Sequence, residues 1–205
     1  MMKNIANLLR NRFLLGLAVA GIAGSSLLLS QEENNLNLKY AKYTAQFEGR
    51  RNKVYDPNPM DNKPEPTIGV GHYLGRPNSK QTLEKVLPGV SHEKLLSGEQ
   101  ALTDEQIDVL LASDIEEYVK TAQRLFPQFD SYPLYLRQAL VDGCYRGDLL
   151  DSPKTRELIN QGRWEDASRE YLNRDDYRNA GLNGMNGITK RMNKNRDAMR
   201  TYAKR

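Results

Sequence analysis

Apolar residues recur every three or four positions along several segments of the chain, which is the spacing of helices with one buried face. The clearest segment begins after Thr103 and Gln106, which form a capping box, and stops before Pro127. Its apolar face consists of Ile107, Leu110, Leu111, Ile115, Val119, Ala122 and Leu125. The pattern therefore predicts a helix from Thr103 to about Phe126.

Further helices are predicted on both sides of this one. Apolar residues at 36, 40, 43 and 47 predict a helix over 36–47 that stops at Glu48 and Gly49, since glycine favours helix ends. The other predicted elements are one or two short helices within 75–100, helices over 134–145, 153–160 (with Ser152 as N-cap), 164–173 and 188–205, and a glycine-rich loop over 179–187.

The segment 52–73 has a different pattern. Its β-branched residues Val54, Thr67, Ile68 and Val70 stand among glycine, asparagine and four prolines. Prolines cannot donate to a sheet, so the segment is predicted to form a small, irregular antiparallel hairpin. Many helices with one small hairpin predict an α+β fold.

Candidate catalytic residues lie around this hairpin. Glu48 closes the first predicted helix, Asp56 and Asp61 lie in the proline-rich loop, and the run Thr-Ile-Gly-Val-Gly-His extends from Thr67 to His72. Glycoside hydrolysis requires a protonated acid for the leaving oxygen and a second, ionised carboxylate. A glutamate at a helix end and an aspartate in a solvated loop occupy different environments, which is how such sites separate the two roles.

This stretch resembles the phage-type lysozymes, glycoside hydrolase family 24. The resemblance is carried by Glu48-Gly49, Tyr55-Asp56 and the run from Thr67 to His72, and weaker similarity extends over 38–205. It implies a lysozyme-like, mostly helical fold with a small β-hairpin lobe at the active site. It also implies that Glu48 is the general acid, that Asp56 is the second carboxylate, and that Thr67 helps to hold the attacking water.

The chain departs from the family pattern at the second carboxylate. Tyr55 directly precedes Asp56, whereas the family has one residue between them, and the loop before Thr67 is longer than usual. Asp61 stands at about the usual distance before Thr67. Asp56 is the favoured candidate, and Asp61 stays open as the alternative.

The resemblance implies an endolysin that cleaves the β-1,4 bond between N-acetylmuramic acid and N-acetylglucosamine in peptidoglycan, with inversion and with host cell lysis as the result. We expect a monomer that needs no cofactor and no metal, and no substrate-binding residues are predicted. Arg191 in the basic last helix is a candidate partner that holds Glu48. The rest of that helix's basic face is either solvated or in contact with anionic cell wall or phospholipid.

For His72 and Cys144, the sequence favours a structural role over a chemical one. His72 lacks a second metal ligand at a useful spacing, so it is expected to be hydrogen-bonded near the end of the hairpin. Cys144 is the only cysteine and lies on an apolar stretch, which predicts a small buried side chain.

The net charge of +4 comes mostly from the first thirty residues, which hold Lys3, Arg10 and Arg12 and no acidic residue. The remainder carries 27 basic and 26 acidic groups. That balance gives no reason to expect nucleic-acid binding.

The first thirty residues also contain an uncharged run over 13–29, after the basic residues and before a polar segment. This order predicts an export segment with its amino terminus in the cytoplasm. We divide the chain into this segment, 1–30, and a lysozyme-like catalytic domain, 31–205. The run is short and rich in glycine, alanine and serine, and it resembles the signal-anchor-release segments of some phage endolysins.

Such a segment predicts a hydrophobic helix in the host inner membrane, a catalytic domain on the periplasmic side, and later release into the periplasm. Cleavage after a small residue near 20–26 is the alternative. Two other functions are also considered: a virion-associated hydrolase used at entry, which the export segment disfavours, and a catalytically dead, membrane-tethered wall-binding protein, which only the Tyr55-Asp56 spacing supports.

Overall fold

The computed structural model describes residues 23–57, 63–180 and 186–205, and helices predominate in them. The helices are α1 (Ala23–Thr44), α2 (Ser79–Val86), α3 (His92–Leu96), α4 (Asp104–Leu125), α5 (Leu134–Tyr145), α6 (Pro153–Asn160), α7 (Trp164–Tyr171), α8 (Asp175–Ala180) and α9 (Asn186–Ala203). A 3₁₀ turn, Phe129–Ser131, connects α4 to α5. The predicted α+β class, mostly helical with a small sheet, is confirmed.

The sheet has three short antiparallel strands where a hairpin was predicted. The strands are β1 (Arg51–Tyr55), β2 (Thr67–Gly69) and β3 (His72–Tyr73), in the order β1-β2-β3. Tyr55 pairs with Thr67 and Arg51 pairs with Gly69, with an irregular register between the two pairs. Gly71, with a φ of 78°, adopts a conformation that other residues rarely accept, and this allows the tight reversal between β2 and β3.

The bounds of α1 differ from the predicted 36–47 at both ends. Its described part extends back to Ala23, the first described residue, and the helix ends at Thr44. Beyond it, the amide of Phe47 donates to the carbonyl of Thr44 at 3.1 Å, three residues back rather than four. A tighter turn therefore continues the apolar spacing as far as Phe47, and this turn takes Glu48 out of the helix.

The helices α4 and α5 form the centre of the core. The capping box is present: Thr103 Oγ1 accepts from the Gln106 amide at 3.2 Å, and Gln106 Oε1 accepts from the Thr103 amide at 2.9 Å. The predicted face of α4 is buried apart from Val119 and Leu125, which are partly buried. Cys144 on α5 is buried as predicted, and burial raises the pKa of its thiol to about 12.

The carboxyl-terminal region differs from the predictions in three details. The predicted helix 164–173 ends at Tyr171, and the short α8 follows it. The predicted loop 179–187 contains the last residues of α8 and the first of α9, while 181–185 lie outside the described residues. Ser152 stands at the N-cap of α6, but its hydroxyl accepts from Arg174 Nη1 at 3.0 Å and does not cap the helix.

The packing brings the last helix to the end of the first. Helix α9 packs against α5 and α7, and α1 packs against α4 and α5. The hydroxyl of Tyr43 on α1 donates to Asn195 Oδ1 on α9 at 2.9 Å. Residues that are distant in sequence therefore meet beside the segment that carries Glu48.

The predicted membrane segment 13–29 is described only from Ala23 onward. Within the described ranges, no helix combines the length and the apolar character that a bilayer crossing requires. The domain division at residue 30 and the membrane contact stay predictions.

Candidate active site

Glu48 lies between α1 and β1, where Arg191 of α9 binds it through a hydrogen-bonded ion pair from Nη1 to Oε1. The Arg191 side chain is 5% exposed and the Glu48 side chain is 26% exposed. The cation is therefore inside the protein, while the carboxylate reaches solvent. The predicted contact between the two residues is confirmed, and Arg191 does not belong to the solvated face of α9.

Asp142 on α5 holds Arg191 from the other side. Its carboxylate accepts from Arg191 Nε at 3.0 Å and from Nη2 at 2.8 Å, a bidentate arrangement that fixes the plane of the guanidinium. Burial disfavours the charge of Arg191, but the hydrogen bonds and charges of Asp142 and then Glu48 outweigh it, so the pKa of Arg191 is raised. Arg191 is thus a permanently charged and rigid support for Glu48.

Two aromatic rings flank this support. The guanidinium carbon of Arg191 lies 5.6 Å from the centre of the Phe47 ring and 5.8 Å from that of Tyr145. The hydroxyl of Tyr145 donates to the carbonyl of Val70 and so ties α5 to the turn between β2 and β3. Burial and then the charge of Glu48 raise the pKa of Tyr145 well above its ordinary value.

Asp56 and Thr67 lie together at the end of the β1–β2 pair. Asp56 follows Tyr55, which pairs with Thr67 across the sheet. The main chain of Glu65 joins the two candidates: its amide donates to Asp56 Oδ2 at 3.4 Å, and its carbonyl accepts from Thr67 Oγ1 at 2.8 Å. An aspartate and a hydroxyl that both bind the main chain of Glu65 lie close enough together to act on the same water molecule.

The charge of Glu48 acts on Tyr55 of β1. Burial and then the charge of Glu48 raise the pKa of Tyr55, which stands next to Asp56 and pairs with Thr67. Tyr55 thus connects Glu48 electrostatically with the strand end that carries the two other candidates. Their catalytic roles stay predictions, and so does the choice between Asp56 and Asp61, because Asp61 lies outside the described residues.

His72 has the structural role that the sequence predicted. One ring nitrogen lies 2.8 Å from Asp114 Oδ2 and the other lies 3.0 Å from the hydroxyl of Ser79. The residue is buried, and its two partners come from α4 and α2. These bonds attach the sheet to the helices beneath it.

Sequence reasoning missed the polar residues that support Arg191. Asp142, Asn195 and Thr44 are buried in predicted helices, and no role was predicted for any of the three. One signal was available: Asp142 is a single acidic residue within the apolar stretch 139–144 of α5. A buried charge in such a stretch requires a partner, and the basic last helix could supply it.

A comparison with known families adds to this geometry. The sequence matches the phage lysozyme family over residues 45–195, a range that contains Glu48, Asp56, Thr67 and Arg191. Because the match covers most of the chain, the chain belongs to the phage lysozyme family. It is therefore a lysozyme-type, peptidoglycan-hydrolysing enzyme whose general activity is that of a glycoside hydrolase. A search among curated proteins found no match.

Proposed function

We propose that this enzyme hydrolyses the β-1,4 bond between N-acetylmuramic acid and N-acetylglucosamine, and that the reaction lyses the host cell. The main support is Glu48, a partly exposed acid that Arg191 fixes and whose charge acts on Tyr55, the residue that precedes Asp56 and pairs with Thr67. A fixed acid and a second carboxylate are the two groups that glycoside hydrolysis requires.

In the proposed reaction, Glu48 gives its proton to the glycosidic oxygen as the bond to the leaving sugar breaks. Asp56 accepts a proton from a water molecule on the opposite face of the sugar ring. Thr67 orients this water: its hydroxyl donates to Glu65, so the oxygen keeps lone pairs that can accept from water. Attack from the opposite face gives inversion at the anomeric carbon.

Analysis of the products of purified peptidoglycan tests this reaction. We expect soluble fragments whose new reducing ends are N-acetylmuramic acid, detected as the reduced sugar by mass spectrometry after borohydride treatment. NMR recorded early in the digestion should show the α-anomer first. New N-acetylglucosamine ends, anhydro-sugar ends or free peptide amines would each contradict the proposed bond, and an absence of products would support the wall-binding alternative.

We also propose that the segment 13–29 exports the enzyme and tethers it to the inner membrane before its release. The support is the sequence pattern: an uncharged run after three basic residues. Such a run, with little apolar area for each residue, holds a bilayer weakly. Loss of the membrane potential is the proposed trigger for release.

Cell fractionation tests the export proposal. Before depolarisation, the full-length protein should be in the membrane fraction with its catalytic domain accessible to protease from the periplasm. After an uncoupler is added, it should move to the soluble periplasmic fraction at unchanged mass. A form shortened by about 20 to 26 residues before depolarisation would establish the cleaved signal peptide instead.

A further inference from the structure

Asp142 is a buried carboxylate whose oxygens are both fully engaged. Oδ1 accepts from Thr44 Oγ1 at 2.9 Å and from Arg191 Nη2 at 2.8 Å, while Oδ2 accepts from Arg191 Nε at 3.0 Å and from Asn195 Nδ2 at 2.8 Å. Its side chain is 0% exposed. Four donors around one side chain match the ionised form, which accepts hydrogen bonds and donates none.

Arg191 therefore lies between two carboxylates of unequal exposure. Asp142 is on its buried side and Glu48 is on its solvent side. A buried cation without a second counter-charge would strongly favour the ionised form of an adjacent carboxyl group. A general acid, however, must hold a proton at the pH at which it works. Arg191 is needed to hold Glu48 in place, but its positive charge favours loss of the proton that Glu48 must carry. These two requirements conflict.

The other titratable groups that face Glu48 do not resolve this conflict. Tyr55 of β1 and Tyr145 of α5 are neutral phenols, because burial and then the charge of Glu48 raise the pKa of each. Arg51 and Lys194 are exposed, and Lys194 Nζ donates to the side-chain amide of Gln46 at 2.7 Å. Solvent and salt screen such exposed cations.

We propose that Asp142 is a positioning residue that offsets the charge of Arg191, so that Arg191 can hold Glu48 in place without fixing it as an anion. This role rests on the proposed function, in which Glu48 is the general acid. Asp142 does not touch the glycan; it acts through Arg191. The hydrogen bond from Arg191 orients the carboxyl group of Glu48, while the negative charge of Asp142 offsets the positive charge of Arg191.

The substitution Asp142→Asn in the full-length enzyme removes the charge at nearly constant shape. The rate of hydrolysis of labelled peptidoglycan should then be measured from pH 4 to pH 9 at constant ionic strength. The alkaline limb of the profile reports the loss of the essential proton. We expect this limb to move to lower pH by about 1 to 3 units, the effect of an uncompensated adjacent cation. At pH values above the limb, the rate of hydrolysis by Asp142→Asn should be about tenfold lower than that of wild type for each pH unit by which the limb has moved.

Asp148→Asn is the matched control. Asp148 is also buried, and it accepts from the Tyr171 hydroxyl at 2.6 Å and pairs with Arg146 at 2.9 Å, so it does not contact Arg191. This variant should lose stability, as measured by thermal unfolding, while its alkaline limb stays at the wild-type position. A merely structural role for Asp142 predicts the same behaviour for Asp142→Asn.

The double variant Asp142→Asn/Arg191→Gln separates charge from folding. A neutral buried pair often replaces an ion pair without loss of the fold, whereas removal of one partner is costly. Because the buried cation that binds Glu48 is then absent, and the exposed Lys194 is screened by solvent, the alkaline limb should lie at or above the wild-type position. This variant remains informative if Asp142→Asn fails to fold.

Two results would overturn the proposal and leave the role of Glu48 intact. One is that Asp142→Asn folds, keeps its alkaline limb at the wild-type pH and loses the same fraction of its rate at every pH. The other is a double variant whose limb lies below that of wild type. Substantial hydrolysis by Glu48→Gln would instead overturn the general-acid assignment and this inference together.

Discussion

Glu48→Gln is expected to abolish hydrolysis while the protein stays folded. The amide has nearly the same shape as the carboxyl group but has no proton to give to the leaving oxygen at neutral pH. Its oxygen can still accept the hydrogen bond from Arg191, so the packing around α9 is preserved. Loss of general acid catalysis should lower the rate by about 10²- to 10⁴-fold.

Release of soluble fragments from purified peptidoglycan measures this effect, and thermal unfolding checks the fold. Glu116→Gln is a suitable control, since Glu116 is a half-buried glutamate on α4 that pairs with Lys120 on the helix surface. It should hydrolyse peptidoglycan at nearly the wild-type rate. Comparable rates for Glu48→Gln and Glu116→Gln would exclude Glu48 as the acid.

Asp56→Asn is expected to reduce activity far more than Asp61→Asn. Asp56 accepts from the amide of Glu65, and the hydroxyl of Thr67 donates to the carbonyl of the same residue, so we expect the Asp56 carboxylate to direct the water that Thr67 binds. Asparagine keeps an acceptor for the Glu65 amide but is a poor base, and the rate should fall by about 10²-fold or more. Asp61→Asn should stay close to wild type.

The same fragment-release assay, applied to both variants in parallel, decides between the two carboxylates. Each substitution removes one negative charge from the same loop, so each serves as the electrostatic control for the other. The reverse order of activities would assign the second carboxylate to Asp61. Equal and large losses would indicate that both side chains act on the attacking water.

The sequence predicted those elements whose ends are determined by local chemistry. Thr103 and Gln106 cap α4 because each side chain accepts from the backbone amide of the other residue, and Pro127 excludes a longer helix, so both ends of α4 were predicted closely. The end of α1 was predicted three residues too late. There the apolar spacing continues to Phe47, while the amides of Gln46 and Phe47 donate to carbonyls three residues back, and Phe47 packs beside Arg191 of α9, a contact that no local pattern reveals.

The sequence likewise predicted those parts of the site that lie close together along the chain. Glu48, Asp56 and Thr67 were found because they belong to one continuous stretch with a recognisable spacing. Arg191 was also proposed as the partner of Glu48, but the polar residues that hold Arg191 were not found, because Asp142 and Asn195 lie on two different helices and meet only after folding. A helical pattern indicates which face is buried, but it does not indicate which buried polar residues pair with each other.

The pairing of Glu48 with Arg191 also has a consequence for the order of synthesis. The two residues are 143 positions apart, so a ribosome adds the cation long after it adds the acid. A nascent chain contains the whole motif from Glu48 to His72 before it contains the side chain that binds Glu48. If Glu48 is the acid, as proposed, we expect hydrolysis to begin only after the last helix has been synthesised and has packed against the rest of the chain.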